Sequence, residues 1–237
     1  MRVAVAGAMG RMGALACEAL RQRGEYCCGL ARSADPQRDV FTSLDEVLTQ
    51  RPNVLLDLTT QPGSYDISSA AVASGLCTVI GSSGWSGEQR ADLAEIAQRL
   101  GVGVLMVPNF SIGAMLMMRF AKTAARFFPD AEIVEMHHAT KMDQPSGTAR
   151  ETALRIAEEN GKMPTIHSIR LPGVLAHPEV VFGGTGELLT VRHDSFTRES
   201  FVAGMLAAVH AVVHRRGLSI GLDSVLDEGS SPLGAVR

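Results

Sequence analysis

The sequence predicts an α/β fold of the doubly wound, parallel-sheet kind, with a second α+β domain built on a mixed sheet. Three observations predict it. Short apolar runs alternate with helical patterns up to Pro108. A glycine-rich turn joins the first run to the first helical pattern. Beyond Pro108 the alternation stops and strand-like runs crowd together.

Taken in order, Arg2–Ala6 is a short apolar run, hence a buried strand. Gly10–Arg23 has helical spacing and stops at Gly24, a C-cap residue. Glu25–Leu30 is a second strand. Ser43–Gln50 is a short helix, because Ser43 followed three residues later by Glu46 makes a capping box. Asn53–Leu58 is a third strand, Ser64–Ser74 a helix ended by Gly75, Leu76–Ile80 a fourth strand, Gly87–Leu100 a helix and Gly103–Val107 a fifth strand. Strands that are apolar throughout are buried on both faces, and right-handed crossovers wind such units into a parallel sheet. Past Pro108, Ile112–Phe127 is a long apolar helix with Ser111 as its N-cap. Ala131–Met136 is a strand and Thr148–Asn160 a helix closed by Gly161. Ile166–Leu171, Pro178–Phe182 and Glu187–His193 are strands, the last two joined by a Gly-Gly-Thr-Gly hairpin. Ser200–Arg215 is a final helix, and the tail from Asp227 reads as mobile.

Composition narrows the function classes. A chain of 237 residues with 46 % hydrophobic and 20 % charged residues is an ordinary globular protein of one large or two modest domains. A net charge of −3 without a basic block argues against nucleic acid, whose phosphates need clustered Lys and Arg. Cys17, Cys27, Cys28 and Cys77 form no Cys-x-x-Cys pair and read as reduced, mostly buried thiols of a cytoplasmic protein. The histidines lack ligand spacing to any of them, so no metal is expected. The N-terminal apolar run ends in glycines rather than a cleavage region, and no run reaches the roughly 20 apolar residues of a membrane span.

The glycine-rich turn carries the first functional signal. Gly7, Gly10 and Gly13 stand between the first strand and the first helix. Glycine there permits a tight turn, close approach of backbone to a pyrophosphate and close helix–strand packing, with the phosphate on the helix N-terminus. The spacing is GxxGxxG rather than GxGxxG, and a ligand-free glycine turn is the competing reading. In a Rossmann-type domain the second strand normally ends in an acid that bonds the ribose of NAD. Here Ala31 stands in that place, followed by Arg32 and Ser33. Arginine can meet a 2′-phosphate, which favours NADPH while leaving NADH possible; otherwise Arg32 is a solvated loop charge. Two more turns follow strands at the same sheet edge: Gly81, Ser82 and Ser83 before Gly84 and Trp85, and Val107, Pro108, Asn109 and Phe110. They can meet a nicotinamide ribose and carboxamide, or be loop punctuation.

The segment Glu135–Ala149, EMHHATKMDQPSGTA, carries the second signal. In an extended strand Glu135 and His137 point to one face, Met136 and His138 to the other. For both histidines to serve one site the chain must bend after Met136. Pro145 disfavours helix at Gln144. Ser146, Gly147 and Thr148 then open a helix whose first N–H groups suit a carboxylate. Lys141 adds a point charge, and a histidine can deliver a proton near neutral pH. Each residue alone is as readily a cap or a packed histidine; together with a nucleotide turn they describe a hydride-transfer reductase of a small carboxylated substrate.

The order E-x-H-H-x-x-K-x-D-x-P-S-G-T from Glu135 to Thr148 resembles the signature of the dihydrodipicolinate reductases, also called 4-hydroxy-tetrahydrodipicolinate reductases. GAMGRMG, GSSGW, VPNFSIG and FGGTGE…RHDSFTRESF match further blocks in the same order. The resemblance implies NAD(P)H-dependent reduction on the diaminopimelate route to lysine. It implies His137 as general acid or base, Lys141 as second proton donor, and His138, Ser146, Gly147 and Thr148 at the substrate carboxylates. It further implies Gly7, Ala8, Met9, Gly10, Arg11 and Met12 around the pyrophosphate, Gly81–Ser83 and Val107–Phe110 on the nicotinamide side, and Arg198 assisting at the cofactor. It implies a discontinuous dinucleotide-binding domain (1–108 with about 200–237), a substrate-binding and oligomerisation domain (109–199), and a homotetramer built through the sheets of the latter. The competing functions are an aspartate- or homoserine-type dehydrogenase, which has no need of His-His-x-x-Lys before Pro-Ser-Gly-Thr, and a silent NAD(P)-binding regulator, which has no need of His137 and Lys141.

Overall fold

The computed structural model describes residues 1–227. The tail expected to be mobile lies, from residue 228 onward, outside the described residues. The chain divides into two compact units, one running to Phe110 and resuming at Phe201, the other Ser111–Ser200.

The first unit is built on a fully parallel seven-stranded sheet in the order β11-β6-β5-β4-β1-β2-β3. Its strands are β1 (Arg2–Ala6), β2 (Tyr26–Leu30), β3 (Val40–Phe41), β4 (Val54–Asp57), β5 (Cys77–Ile80), β6 (Gly103–Met106) and β11 (Gly217–Ile220). The central strands are buried almost throughout, which is why they read as unbroken apolar runs. Helices α1 (Arg11–Gln22), α2 (Leu44–Thr49), α3 (Gly63–Ala73), α4 (Gly87–Leu100), α7 (Val202–Val212) and α8 (Asp223–Asp227) cross between or follow the strands. Capping sets their ends. Ser43 with Glu46 and Ser86 with Gln89 form complete capping boxes, and Gly101 closes α4 in the left-handed conformation. Val47, Leu55 and Ala71 lie in one core cluster, and Val72, Leu93 and Val104 in another.

The second unit carries a mixed sheet, β10-β9-β7-β8. Strand β7 (Asp130–His138) is parallel to β8 (Thr165–Leu171) and antiparallel to β9 (Ala176–Gly184), which pairs with β10 (Glu187–Arg192) across the Thr185-Gly186 hairpin. One face packs against α5 (Ile112–Ala124) and α6 (Gly147–Asn160), where Ile133, Val180 and Phe182 meet Ala121, Ala149, Ala153 and Ile156.

Several expectations are corrected. Arg23, not Gly24, caps α1, and Gly24 follows with φ +72°. Helix α5 stops at Ala124, short of Phe127. The helix expected over Ser200–Arg215 spans Val202–Val212 after a 3-10 turn (Arg198–Phe201), and β11 and α8, read as neither strand nor helix, follow it. The chain does not bend after Met136: β7 runs on to His138, because β8 supplies parallel partners through His137↔Arg170 and His138↔Leu171.

Candidate active site

The glycine turn between β1 and α1 has the shape a pyrophosphate needs. Gly7 turns with φ +79°, and its N–H donates to the Leu30 carbonyl (2.9 Å), tying the turn to the end of β2. Gly13 lies so close beneath that an added Cβ would stand 2.1 Å from the Gly7 oxygen. Helix α1 starts at N-cap Gly10 with no side-chain cap and no acid in its first turn, which leaves its leading N–H groups and positive dipole end for an anion. Met9, Gly10 and Arg11 are exposed, Gly7 and Met12 half-buried, and Ala8 is buried against the sheet. These residues fit a dinucleotide. Arg32 is exposed just past β2, beside Ala31.

The other two turns sit at the same carboxyl edge, after β5 and β6. A buried acid organises the first of them. Asp57, the last residue of β4, is fully buried and accepts four hydrogen bonds. They come from Thr59 N–H (2.9 Å), Thr59 Oγ1 (2.6 Å), Ser64 Oγ (2.5 Å) and Ser68 Oγ (2.9 Å). Ser64 and Ser82 share a hydrogen bond of 2.5 Å, and Trp85 Nε1 donates to Ser82 (2.9 Å). Since the one Ser64 hydroxyl proton goes to Asp57, Ser82 must be the donor to Ser64. Ser82 therefore meets a ligand only as an acceptor. Gly81 and Ser82 are half-buried and Ser83 is exposed. In the second turn the Val107 N–H donates to Ile80 (2.8 Å), Val107 and Phe110 are buried, Asn109 is half-buried and Pro108 exposed. Helix α7 backs this turn at Gly204, where an added Cβ would stand 1.9 Å from the Phe110 oxygen.

In the second unit Glu135 and His137 share the helix-packed face of β7, as strand alternation requires. Glu135 is fully buried and His137 Nδ1 is hydrogen-bonded to its Oε2. Arg170 of β8 forks onto the same carboxylate, Nη2 to Oε1 at 2.9 Å and Nη1 to Oε2 at 3.1 Å. Its Nη2 also donates to the Asp143 carbonyl (2.8 Å). Lys141 Nζ pairs with the Asp143 carboxylate at 2.7 Å. The Ser146 N–H donates to Glu135 Oε1 (3.2 Å), while Ser146 Oγ caps α6 by accepting from Ala149 N–H (3.2 Å). Gly147 and Thr148 form the first residues of α6.

Charge and burial set the protonation here. Burial pushes the His137 imidazole below its ordinary value; Glu135 pulls it up, and Lys141 and Arg170 push it further down. Burial alone would raise the Glu135 carboxyl, but the Arg170 and His137 hydrogen bonds outweigh it and hold Glu135 below the usual carboxylate range. The pair is therefore a carboxylate facing an imidazole at neutral pH.

The structure thus gathers His137, Lys141 and Ser146 around Glu135, Arg170 and Asp143. His138 alternates to the opposite face of β7, where Nδ1 is hydrogen-bonded to Thr140 Oγ1 (2.9 Å). Arg198 lies in the 3-10 turn Arg198–Phe201, at the end of the second unit. Glu135, Arg170 and Asp57 were missed as site residues. The alternation already set Glu135 beside His137, and Asp57 stood out as an acid ending an apolar strand; Arg170 had no local signal, being brought in by the β7–β8 register.

A dinucleotide cradle on one unit and a proton-handling cluster on the other define a nicotinamide-dependent oxidoreductase of two-unit build. Relatives narrow the class. Residues 1–110 match the family model described as dihydrodipicolinate reductase, N-terminus, and residues 113–226 its C-terminus counterpart. The chain is 40 % identical over 256 residues to the 4-hydroxy-tetrahydrodipicolinate reductase of Lactobacillus acidophilus, covering 95 % of this chain and 98 % of that protein. It is 37 % identical to that of Enterococcus faecalis over 260 residues, covering 95 % and 100 %. Among solved structures, a dipicolinate-bound dihydrodipicolinate reductase from Paenisporosarcina sp. TG-14 aligns with a TM-score of 0.85 at 34 % identity, covering 94 % and 98 %. The chain belongs to the dihydrodipicolinate reductase family.

Proposed function

We propose that the protein reduces 4-hydroxy-tetrahydrodipicolinate to tetrahydrodipicolinate, the NAD(P)H-dependent step of the diaminopimelate route to lysine. The observation that carries the reading is the cluster of His137, Lys141 and the start of α6 on one short segment, in a chain with an uncapped, glycine-lined nucleotide turn. The first unit is the dinucleotide-binding domain, and Ser111–Ser200 is the substrate-binding and oligomerisation domain.

Gly7, Ala8, Met9, Gly10, Arg11 and Met12 hold the pyrophosphate. Gly81–Ser83 and Val107–Phe110 hold the nicotinamide side, and Arg198 assists. Arg32 beside Ala31 favours the 2′-phosphate of NADPH, with NADH still accepted. The reduced nicotinamide supplies the hydride. Ser146, Gly147 and Thr148 bind the substrate carboxylates, in keeping with the dicarboxylate carried by the Paenisporosarcina relative; His138, expected among them, stands on the opposite face of β7 and is left out of this set. His137 exchanges a proton with the ring through Nε2, its Nδ1 being engaged by Glu135. Lys141 Nζ is the second donor and balances substrate charge. The face of the mixed sheet turned away from α5 and α6 exposes Ile169, Leu171 and Leu188, the last 74 % accessible. Strips of this kind are buried in assemblies, and a homotetramer through this face is the proposed state. Among the described residues no helix is long and apolar enough to cross a membrane; the proposed location is cytoplasmic.

The test is oxidation of NADPH and of NADH with freshly generated dihydrodipicolinate-synthase product. Turnover is expected with both, faster with NADPH. His137→Gln and Lys141→Ala each lose about 10²- to 10⁴-fold in kcat. No turnover with either cofactor sinks the reaction; wild-type rates in both variants sink the roles.

A further inference from the structure

We propose that Glu135 and Arg170 are a positioning pair that fixes which nitrogen of His137 meets the substrate and holds His137 and Lys141 in one frame. The inference deepens the proposed reaction and rests on His137 acting there as a proton carrier.

Both oxygens of buried Glu135 are engaged: Oε1 by Arg170 Nη2 (2.9 Å) and Ser146 N–H (3.2 Å), Oε2 by Arg170 Nη1 (3.1 Å) and His137. An ionised carboxylate only accepts. The proton in the contact with His137 must therefore sit on Nδ1, and the neutral ring keeps its lone pair on Nε2. Arg170 is reached through the β7–β8 register, directly opposite His137. The same guanidinium holds the Asp143 carbonyl, and Asp143 holds Lys141. One residue of β8 thereby braces the orienting carboxylate on one side and the lysine loop on the other. The charged groups around the imidazole are Glu135 on its own strand, Arg170 on β8, Lys141 and Asp143 on the loop, and Arg150 of α6, which lies 4.0 Å from Asp143; on β9 the residue opposite is uncharged Ala176.

The experiment uses full-length enzyme with ¹⁵N-labelled histidine, comparing wild type with E135Q and R170K, with far-UV circular dichroism to establish folding. In wild type the ¹⁵N shifts of His137 should report the Nδ1–H tautomer. In E135Q the amide oxygen should stay at the Oε1 position, whose two donors, Arg170 Nη2 and the Ser146 N–H, cannot turn into acceptors as the imidazole can, leaving the NH₂ to face Nδ1. The tautomer then inverts to Nε2–H, and the His137 titration moves to lower pH because the carboxylate that raised it is gone. Turnover should fall about 100-fold or more with substrate KM within about threefold, since a wrong tautomer removes a step rather than binding. R170K keeps charge but not the fork; kcat should fall about tenfold while the Nδ1–H tautomer stays. An unchanged tautomer and titration in E135Q overturns the positioning role of Glu135, and wild-type kcat in R170K overturns that of Arg170. Should E135Q not fold, E135D, whose shorter carboxylate is drawn back from Nδ1, decides: an unchanged His137 tautomer, titration and kcat overturns the proposal. An inverted tautomer with undiminished turnover keeps the positioning but overturns the reading of His137 as the proton carrier.

Discussion

Among the described residues two strand carboxylates, Asp57 and Glu135, are fully buried, and they are satisfied in opposite ways. Asp57, on β4, takes its hydrogen bonds from hydroxyls and one backbone N–H. Glu135, on β7, takes its bonds from a guanidinium, an imidazole and a backbone N–H. Neutral donors fix geometry without changing charge, so the Asp57 cluster is a frame: it ties the turn after β4 to α3 and, through Ser64 and Ser82, to the turn after β5. Charged donors fix geometry and protonation together, so the Glu135 cluster also decides where protons reside. The contrast separates a cluster that supplies shape alone from one that supplies shape and a chosen ionisation.

The comparison can be broken most forcefully at Glu135. Glu135→Ala leaves the half-buried Arg170 guanidinium without its carboxylate and should cost about 3 kcal/mol in urea unfolding, together with most of the turnover. Next is Asp57→Ala, which strands hydroxyl donors and should cost about 2–3 kcal/mol. Its kinetic signature should be a cofactor KM raised about tenfold, with kcat at saturation changed less than about threefold. A shifted pH profile in this variant would erase the distinction. A third test is acid. Burial depresses His137 and His193. Below about pH 6.5 the unfolded chain takes up protons that these native imidazoles refuse. Their stabilising contribution is thus complete above that pH and declines as pH falls through the native values. Glu135, Asp143 and Asp194, held below ordinary carboxylate values, add a second loss below about pH 4. All five lie in Ser111–Ser200, so amide exchange at pH 5 against pH 7 should show sheet β10-β9-β7-β8 losing protection first. The smallest effect is Ser82→Ala, about 1 kcal/mol. It frees the Trp85 indole N–H, and because Trp85 is the chain's one tryptophan its emission reports the change directly.

Much of the fold was legible because local chemistry and tertiary context agree. Ser43 with Glu46, Gly87–Leu100 and the strands after them stand within a residue or two of where the pattern put them. Where they disagree, pairing across distance decided. Gly217–Ile220 is a strand only because β6 offers it an edge, and Val40–Phe41 only because β2 does. His138 stays in β7 because Leu171 pairs with it, against the local expectation of a bend. The site followed the same rule. His137, Lys141 and Ser146 sit in one stretch and announce themselves, whereas Arg170 arrives from 35 residues beyond Glu135 through a parallel register no short window contains.

The interrupted layout of the first unit bears on how the chain is made. Met205 and Val209 of α7 pack beside Ala16 and Leu20 of α1 and Leu56 of β4, and β11 closes the sheet edge at β6. Everything they cover is synthesised first and waits, unroofed, while the whole of Ser111–Ser200 is translated. The later, contiguous unit holds all its own strands and can close as soon as it emerges, whereas the earlier one cannot complete its sheet until Gly217–Ile220 has left the ribosome. A nascent chain stalled near residue 200 should therefore bind a holdase through α1 and β4, and release it once α7 is exposed.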